Sequence, residues 1–263
     1  MNFKDKVVMI TGASSGIGEA LVYAFDERQA KIIIAARREK ELERVKNNCK
    51  NPQNIIIQPL DLEKHDEIPV LVENVLKQVK KIDVLINNGG ISQRSLAKET
   101  SLEVDKKIMD INYFGAVALT KAVLPSMLQN KNGHIVVISS VTGKIGVKLR
   151  SAYAASKHAL HGFYDSLRYE NWQDNIFVTI ICPGYIRTNV SINALTADGT
   201  VQNSMDEATD NGFEPSFLAE KIIEAIAKKK EEVIIAGKEK LGIYLKRFYP
   251  SLLSKVMRKA KVT

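Results

Sequence analysis

The chain reads as one α/β domain, a parallel sheet with helices on both faces, and three observations predict it. Short runs rich in Val and Ile recur at 6–10, 31–35, 54–58, 84–86, 134–139, 177–182 and 233–236, the pattern of strands buried on both faces. Amphipathic segments alternate with them at 17–27, 40–48, 66–79, 102–128, 151–172 and 215–228, and connections of that size join parallel neighbours. At 263 residues, 45% hydrophobic and 26% charged, the chain has the size and composition of a single globular domain with a large core. No repeat, low-complexity linker or second domain interrupts the alternation, so the domain is expected to span 1–263.

Composition narrows the function classes. No uninterrupted apolar run reaches the ~18 residues that cross a bilayer, and MNFKDKVVMI opens a strand rather than a leader. Cys49 and Cys182 have no partners in sequence, so neither a metal site nor a disulfide framework is expected, and a reducing cytoplasm is the expected location. The net charge of +8 is uneven: residues 228–263 hold eleven of the 38 Lys and Arg and three of the 30 Asp and Glu. The remainder is neutral, which argues against a nucleic-acid-binding core and asks what the basic tail touches.

The first strand runs into VVMITGASSGIG, which places Gly12, Gly16 and Gly18 in a βα turn together with Ser14, Ser15 and Ile17. Glycines there permit a tight turn and let backbone N–H groups approach a pyrophosphate at a helix N-terminus. The second strand ends IIIAARR, with Arg37 and Arg38 beyond Ala36 where an NAD enzyme places a carboxylate for the ribose. A carboxylate repels a 2′-phosphate, whereas a guanidinium grips one through charge-assisted bonds. The expected cofactor is therefore NADP(H) in preference to NAD(H).

Further motifs follow in order: Leu60-Asp61-Leu62, Asn87-Asn88-Gly89-Gly90, Asn112 within a helix, Ser140 at the end of the fifth strand, Tyr153-x-x-x-Lys157, and Pro183-Gly184-Tyr185-Ile186-Arg187-Thr188. Their order and spacing resemble the short-chain dehydrogenase/reductase superfamily over essentially the whole chain. The resemblance implies a Rossmann-type doubly wound three-layer sandwich with strand order 3-2-1-4-5-6-7 and an NAD(P)-dependent oxidoreductase. It would put Ser14 and Arg37 near the adenosine ribose and its phosphate, Asp61 and Leu62 near the adenine, and Asn88 in the cofactor groove. Ile186 and Thr188 would meet the nicotinamide carboxamide, and Gly90, Pro183 and Gly184 would complete the groove. Gly89 departs from the family, which usually has Ala there. SAYAASKHAL and PGYIRTNVSINALTADG sharpen the likeness to a branch whose animal members are membrane-associated and linked to reduction of a lipid-borne ketone.

Tyr153 and Lys157 stand one helical turn apart on one face. A phenol with a pKa near 10 is too weak a base at neutral pH. An ammonium about 5 Å away, at an effective dielectric of about 20, stabilises the phenolate by roughly 3 kcal/mol. Tyr153 is thus the expected general acid in carbonyl reduction and general base in alcohol oxidation. Lys157 is also expected to hold the nicotinamide ribose. Ser140 would polarise the substrate carbonyl, with Ser139 facing the other way, and Asn112 resembles the family residue that holds a relay water. His158, His161 and Cys182 are read as packing or surface residues, and Arg150, in a loop beside the site, as a surface arginine whose alternative is contact with an anionic substrate.

The expected activity is NADP(H)-dependent interconversion of a ketone and a secondary alcohol, on a hydrophobic or lipid-like substrate received by the loop 185–215. Two rivals stand beside it: a general 3-oxoacyl- or hydroxysteroid-type carbonyl reductase, and a non-catalytic NADP(H)-binding protein docked on a membrane. In the basic segment 238–263, Tyr244, Phe248, Leu252, Leu253 and Val256 form an apolar stripe interrupted at Pro250. It is read either as a peripheral membrane contact or as a lid or subunit contact. The resemblance implies a homodimer or homotetramer through the helices carrying Asn112 and Tyr153.

Overall fold

The computed structural model describes residues 2–260. In chain order the elements are β1 (Val7–Thr11), α1 (Gly16–Asp26), β2 (Lys31–Ala36), α2 (Glu39–Asn47), β3 (Ile55–Pro59), α3 (Ile68–Val79), β4 (Val84–Asn87) and α4 (Leu102–Met109). A π-helical turn (Asp110–Phe114) leads into α5 (Gly115–Gln129), then β5 (Gly133–Ile138), α6 (Ser151–Glu170), β6 (Ile176–Pro183) and α7 (Glu207–Asp210). The chain continues through α8 (Pro215–Ala227), β7 (Glu232–Ile235), α9 (Lys240–Phe248) and α10 (Pro250–Lys259).

All seven strands pair in parallel in the order β3-β2-β1-β4-β5-β6-β7. Alternation along β1 explains why the strands are apolar throughout. Val8 and Ile10 pack against Leu21 and Phe25 of α1 and Leu218 and Ile222 of α8. Val7 and Met9 meet Val72 of α3, Leu119 and Val123 of α5, and Leu160 and Tyr164 of α6. A residue on either strand face is therefore interior, and the hydrophobic effect selects Val, Ile and Leu at both. The winding direction reverses between β1 and β4, and the crevice beyond the strand C-termini at that point is where such sheets bind ligands.

Three segments differ from or refine the sequence expectation. The segment 102–128 is two α-helices joined by the π-turn that contains Asn112, an interruption that often marks a functional position. The backbone runs hard against the loop after β3 here, because a Cβ on Gly115 would stand 2.4 Å from the Leu62 carbonyl oxygen. By length and composition the run Leu102–Gln129 could cross a membrane, but Leu119, Val123 and Met127 bury its inner side in the domain core. The segment 185–214 is folded onto the body: Arg187 N–H donates to the Phe213 carbonyl (2.9 Å), and Arg94 N–H donates to that of Leu195 (2.8 Å). Finally, the basic tail is a helical hairpin. Leu253 turns inward against Val141 and Ile145, whereas Leu241, Tyr244, Phe248, Tyr249, Leu252 and Val256 are exposed. Its last residues, 261–263, lie outside the described residues.

Candidate active site

The glycine turn is built by steric necessity. Gly12 and Gly16 hold φ values of +64° and +58°, in the left-handed region that favours glycine. A Cβ on Gly18 would stand 2.2 Å from the Gly12 carbonyl oxygen. Ser15, the N-cap of α1, makes no side-chain capping bond, so the open helix N-terminus and its dipole are directed toward the crevice. Thr11 Oγ1 accepts from the N–H groups of Asn88 (3.0 Å) and Gly89 (2.9 Å), and Asn88 Nδ2 donates to the Thr11 carbonyl (2.9 Å). These bonds clamp the end of β4 to the end of β1. Thr188 lies over the turn, its Cγ2 3.0 Å from where a Gly16 Cβ would be. At the end of β2, Arg37 and Arg38 are exposed, and Arg38 donates to Ser14 Oγ at 3.3 Å. Arg44 of α2 donates to the Ser14 carbonyl (3.3 Å) and pairs with Glu19. Asp61 Oδ1 caps the following turn through the Glu63 N–H (3.1 Å). Leu62 is buried, and its Cδ1 occupies the space a Gly89 Cβ would take, at 2.6 Å. Alanine at position 89 would require the Leu62 side chain to turn. A narrow crevice lined by backbone N–H donors at an open helix N-terminus fits a nicotinamide dinucleotide.

The crevice opens into a cleft of about 120 Å³ lined by Ile17, Asn88, Gly90, Ser140, Tyr153, Lys157, Pro183, Gly184, Ile186 and Thr188 among others. A larger, more open depression bordered by Phe3, Arg28 and Glu220 contains a surface ion pair and no group suited to catalysis. In the cleft, Ser140 has extended backbone and its Oγ accepts from the Thr142 N–H at 3.1 Å, which leaves the hydroxyl proton free to donate. Ser139 faces away, its Oγ donating to the Lys157 carbonyl (3.2 Å) and meeting His161 Nε2 (3.0 Å).

Lys157 Nζ donates to the Ile138 carbonyl at 2.8 Å and lies 5.7 Å from the Tyr153 ring centroid. Burial pushes its pKa down to about 8. Burial also raises the Tyr153 phenol above its usual value, against the opposing charge of Arg150, the hydrogen bond to Ser140 and the charge of Arg94. This differs from the electrostatic expectation, in which attraction to a nearby cation dominates: here desolvation outweighs it. Asn112 is fully engaged. Its Oδ1 accepts from the Ile91 N–H (2.8 Å), and its Nδ2 donates to the Ile91 carbonyl (2.9 Å) and Ser156 Oγ (3.1 Å). The side chain thus ties the loop after Gly90 to α6.

Gln93, Arg94 and Asp206 carry no signal in the sequence, and Arg150 differs from its expected surface position. Gln93 Oε1 accepts from the Ala152 N–H at 2.9 Å, while its Nε2 donates to Thr100 and Ser151, so a side chain from the loop after β4 caps the catalytic helix. Arg94 (9% exposed) and Arg150 (8%) are buried and share the carboxylate of Asp206 (4%). The expectation of a surface Arg150 is corrected: Asp206, on the loop after β6, folds over it and supplies the counter-charge. Arg150 Nε is buried with no hydrogen-bond partner, and its guanidinium stands 5.6 Å from the Tyr185 ring centroid. A solitary charge 56 residues from its partner carries no periodic signal by which it could have been found.

A sequence model of the short chain dehydrogenase family matches residues 6–198. The Dehydrogenase/reductase SDR family protein 7-like of Drosophila melanogaster is 46% identical, over 98% of this chain and 81% of that protein. Mouse Dehydrogenase/reductase SDR family member 7B is 42% identical, over 97% of this chain and 80% of that protein. The crystal structure of a short-chain dehydrogenase from Streptomyces avermitilis superposes with a TM-score of 0.80 at 27% identity, covering 97% of this chain and 96% of its own. With the fold, the glycine turn and the Ser140–Tyr153–Lys157 cleft in place, this chain belongs to the short-chain dehydrogenase/reductase family, NAD(P)-binding oxidoreductases that act on CH–OH groups.

Proposed function

We propose that the protein is an NADP(H)-dependent oxidoreductase that interconverts a ketone and a secondary alcohol on a hydrophobic, lipid-like substrate. The observation that carries this reading is the convergence of Ser140, Tyr153 and Lys157 on one cleft that continues into the glycine turn. The turn around Gly12, Gly16 and Gly18 would hold the pyrophosphate, Arg37 and Arg38 the 2′-phosphate, and Lys157 the nicotinamide ribose. Ile186 and Thr188 would meet the carboxamide. A nicotinamide held there would supply the hydride chemistry. Ser140 donates its hydroxyl proton to the substrate oxygen and orients the carbonyl. Tyr153, held protonated by burial, delivers its proton to the same oxygen in reduction and recovers it in oxidation. Asn112 positions this machinery through Ile91 and Ser156. Tyr153→Phe tests the mechanism: turnover falls by about 10²–10⁴ while NADPH binding, read by fluorescence, persists. Preserved turnover would refute it, and so favour neither the lipid-ketone nor the general carbonyl-reductase reading.

The Arg94–Asp206–Arg150 group supports an extension to the polar end of the substrate. Two buried cations share one carboxylate, leaving an uncompensated positive charge and a free Nε beside the reacting centre. An anionic group on the substrate balances both. NADPH consumption with a long-chain and a truncated ketone, each with an anionic or a neutral head, separates the readings. Preference for the long, anionic ketone supports both parts, and equal turnover of the short neutral one leaves a general carbonyl reductase.

The α9–α10 hairpin supports peripheral contact with an anionic membrane surface. Phe248 is 68% exposed and stands with Tyr244, Leu252 and Val256 among Lys246, Arg247, Lys255 and Arg258, the combination that binds interfacial lipid. Sedimentation with anionic vesicles, lost in Phe248→Ser/Leu252→Ser, tests it. Exposed Phe114 and Tyr169 favour self-association through the helical runs carrying Asn112 and Tyr153, to be read by light scattering. The buried free thiols of Cys49 and Cys182 suit a reducing, cytoplasmic setting.

A further inference from the structure

Behind the catalytic strand ends, three groups that the reaction does not use come together. His161 stands on α6, Cys182 near the end of β6 and Glu232 at the start of β7, and one donor atom from each lies within 4.8 Å of the others. Register explains the meeting: Glu232 pairs with Ile180 and Ile234 with Cys182 across β6 and β7, so Cys182 and Glu232 share the sheet face covered by α6. In sequence they are 50 residues apart, and the expectation that Cys182 has no ligand partners is corrected by this packing.

We infer that His161, Cys182 and Glu232 form a binding site for a thiophilic divalent cation of the zinc type. His161 Nε2 and Cys182 Sγ are 3.7 Å apart. Two such ligands on one tetrahedral zinc, at about 2.05 and 2.3 Å, stand about 3.6 Å apart. The other ring nitrogen, Nδ1, faces the Glu232 carboxylate at 3.5 Å, yet it is buried without a hydrogen bond in a residue only 8% exposed. That nitrogen is not the ligand: with the metal on Nε2, Nδ1 carries the ring proton on the Glu232 side.

Charge and access agree. Glu232 is partly exposed and now pairs with Lys144, so a dication enters from that side by replacing one ammonium. Together with a thiolate and a carboxylate, a dication is neutral, which suits a site this enclosed. The metal binds Cys182 as the thiolate, so coordination releases the thiol proton to solvent, about one per ion bound. Three protein ligands leave one position for water, the arrangement of an open zinc site. A metal on Nε2 also takes the ring from Ser139 Oγ, the neighbour of catalytic Ser140, so occupancy lowers turnover.

Cadmium is the probe, titrated into the full chain while thiolate-to-metal ultraviolet absorption, calorimetry and NADPH-dependent ketone reduction are followed. The expected result is one ion per chain with a thiolate band, about one proton released, and turnover falling in step with occupancy. Zinc competes for the site. Cys49→Ala retains the band and Cys182→Ala abolishes it. Glu232→Gln, a partly exposed change that spares the fold, weakens binding at least tenfold. A missing band, a band that follows Cys49, or unchanged affinity in Glu232→Gln would overturn the site, and full occupancy with unchanged turnover would overturn its link to Ser139.

Discussion

Replacing Asp206 by Asn removes the one carboxylate that two buried arginines share while keeping nearly the same shape. Arg94 Nε donates to Asp206 Oδ2 at 2.8 Å and Arg150 to the same oxygen at 3.2 Å, with Gln202 on Oδ1 at 3.1 Å. Breaking a buried pair by removing one partner costs about 3–5 kcal/mol, because the remaining charge is left uncompensated. For a chain of this size each kcal/mol shifts the Tm by about 2 °C, so calorimetry should show a fall of about 6–10 °C. The Asp206 carboxylate also ties the substrate loop to Arg94 and Arg150, so KM should rise more than kcat falls. Burial alone would raise the Asp206 carboxyl; the hydrogen bond and charge of Arg94, with Gln202 and Arg150, reverse this and hold it below its ordinary 3.8. A depressed carboxyl stabilises the fold above its unfolded pKa and loses that contribution as pH falls through the folded value. The wild type should therefore lose this increment below about pH 3.8, and D206N should lack that slope. Arg94→Met combined with D206N returns the group to a single positive charge and should recover part of the loss, a non-additivity that a double-mutant cycle reads. A Tm within about 1 °C of wild type with unchanged KM, or strict additivity in the cycle, would refute the reasoning.

Lys157, held at about pH 8 by burial, should lose its charge as pH rises through that value; NADPH affinity is then level below about 8 and weakens above it, and a Kd flat to about pH 9.5 would contradict the assignment. Arg38→Asp removes the bond to Ser14 and places a carboxylate against a 2′-phosphate. NADPH should lose about one to two decades of affinity, with NADH nearly unaffected, and equal losses would reject the role. Gly89→Ala sets a methyl 2.6 Å from Leu62 Cδ1 and forces that side chain to turn. A several-fold rise in the NADPH Kd is expected, reversed by Leu62→Val in the same chain, and failure of that reversal would locate the strain elsewhere.

The parts of this molecule legible in one dimension are those whose cause is local. Val8, Ile10, Ile32, Ile34, Leu85 and Ile86 are interior whichever face they occupy, so an unbroken apolar run marks each central strand. The turn at Gly12–Gly18 was legible because its backbone path excludes side chains, and Tyr153 with Lys157 because four residues make one helical turn. Ser140 was legible by its place at a strand end. The groups that only the tertiary structure brings together depend on elements distant in sequence. Asn112 reaches Ile91 through a π-turn, Gln93 caps a helix that begins 58 residues later, Asp206 buries Arg94 and Arg150, and the β6–β7 register lays Cys182 beside Glu232 under His161. A sequence records local periodicity and steric exclusion directly. Which buried charges neutralise one another is settled by packing, because the cost of leaving a charge unpaired arises only once water has been excluded around it.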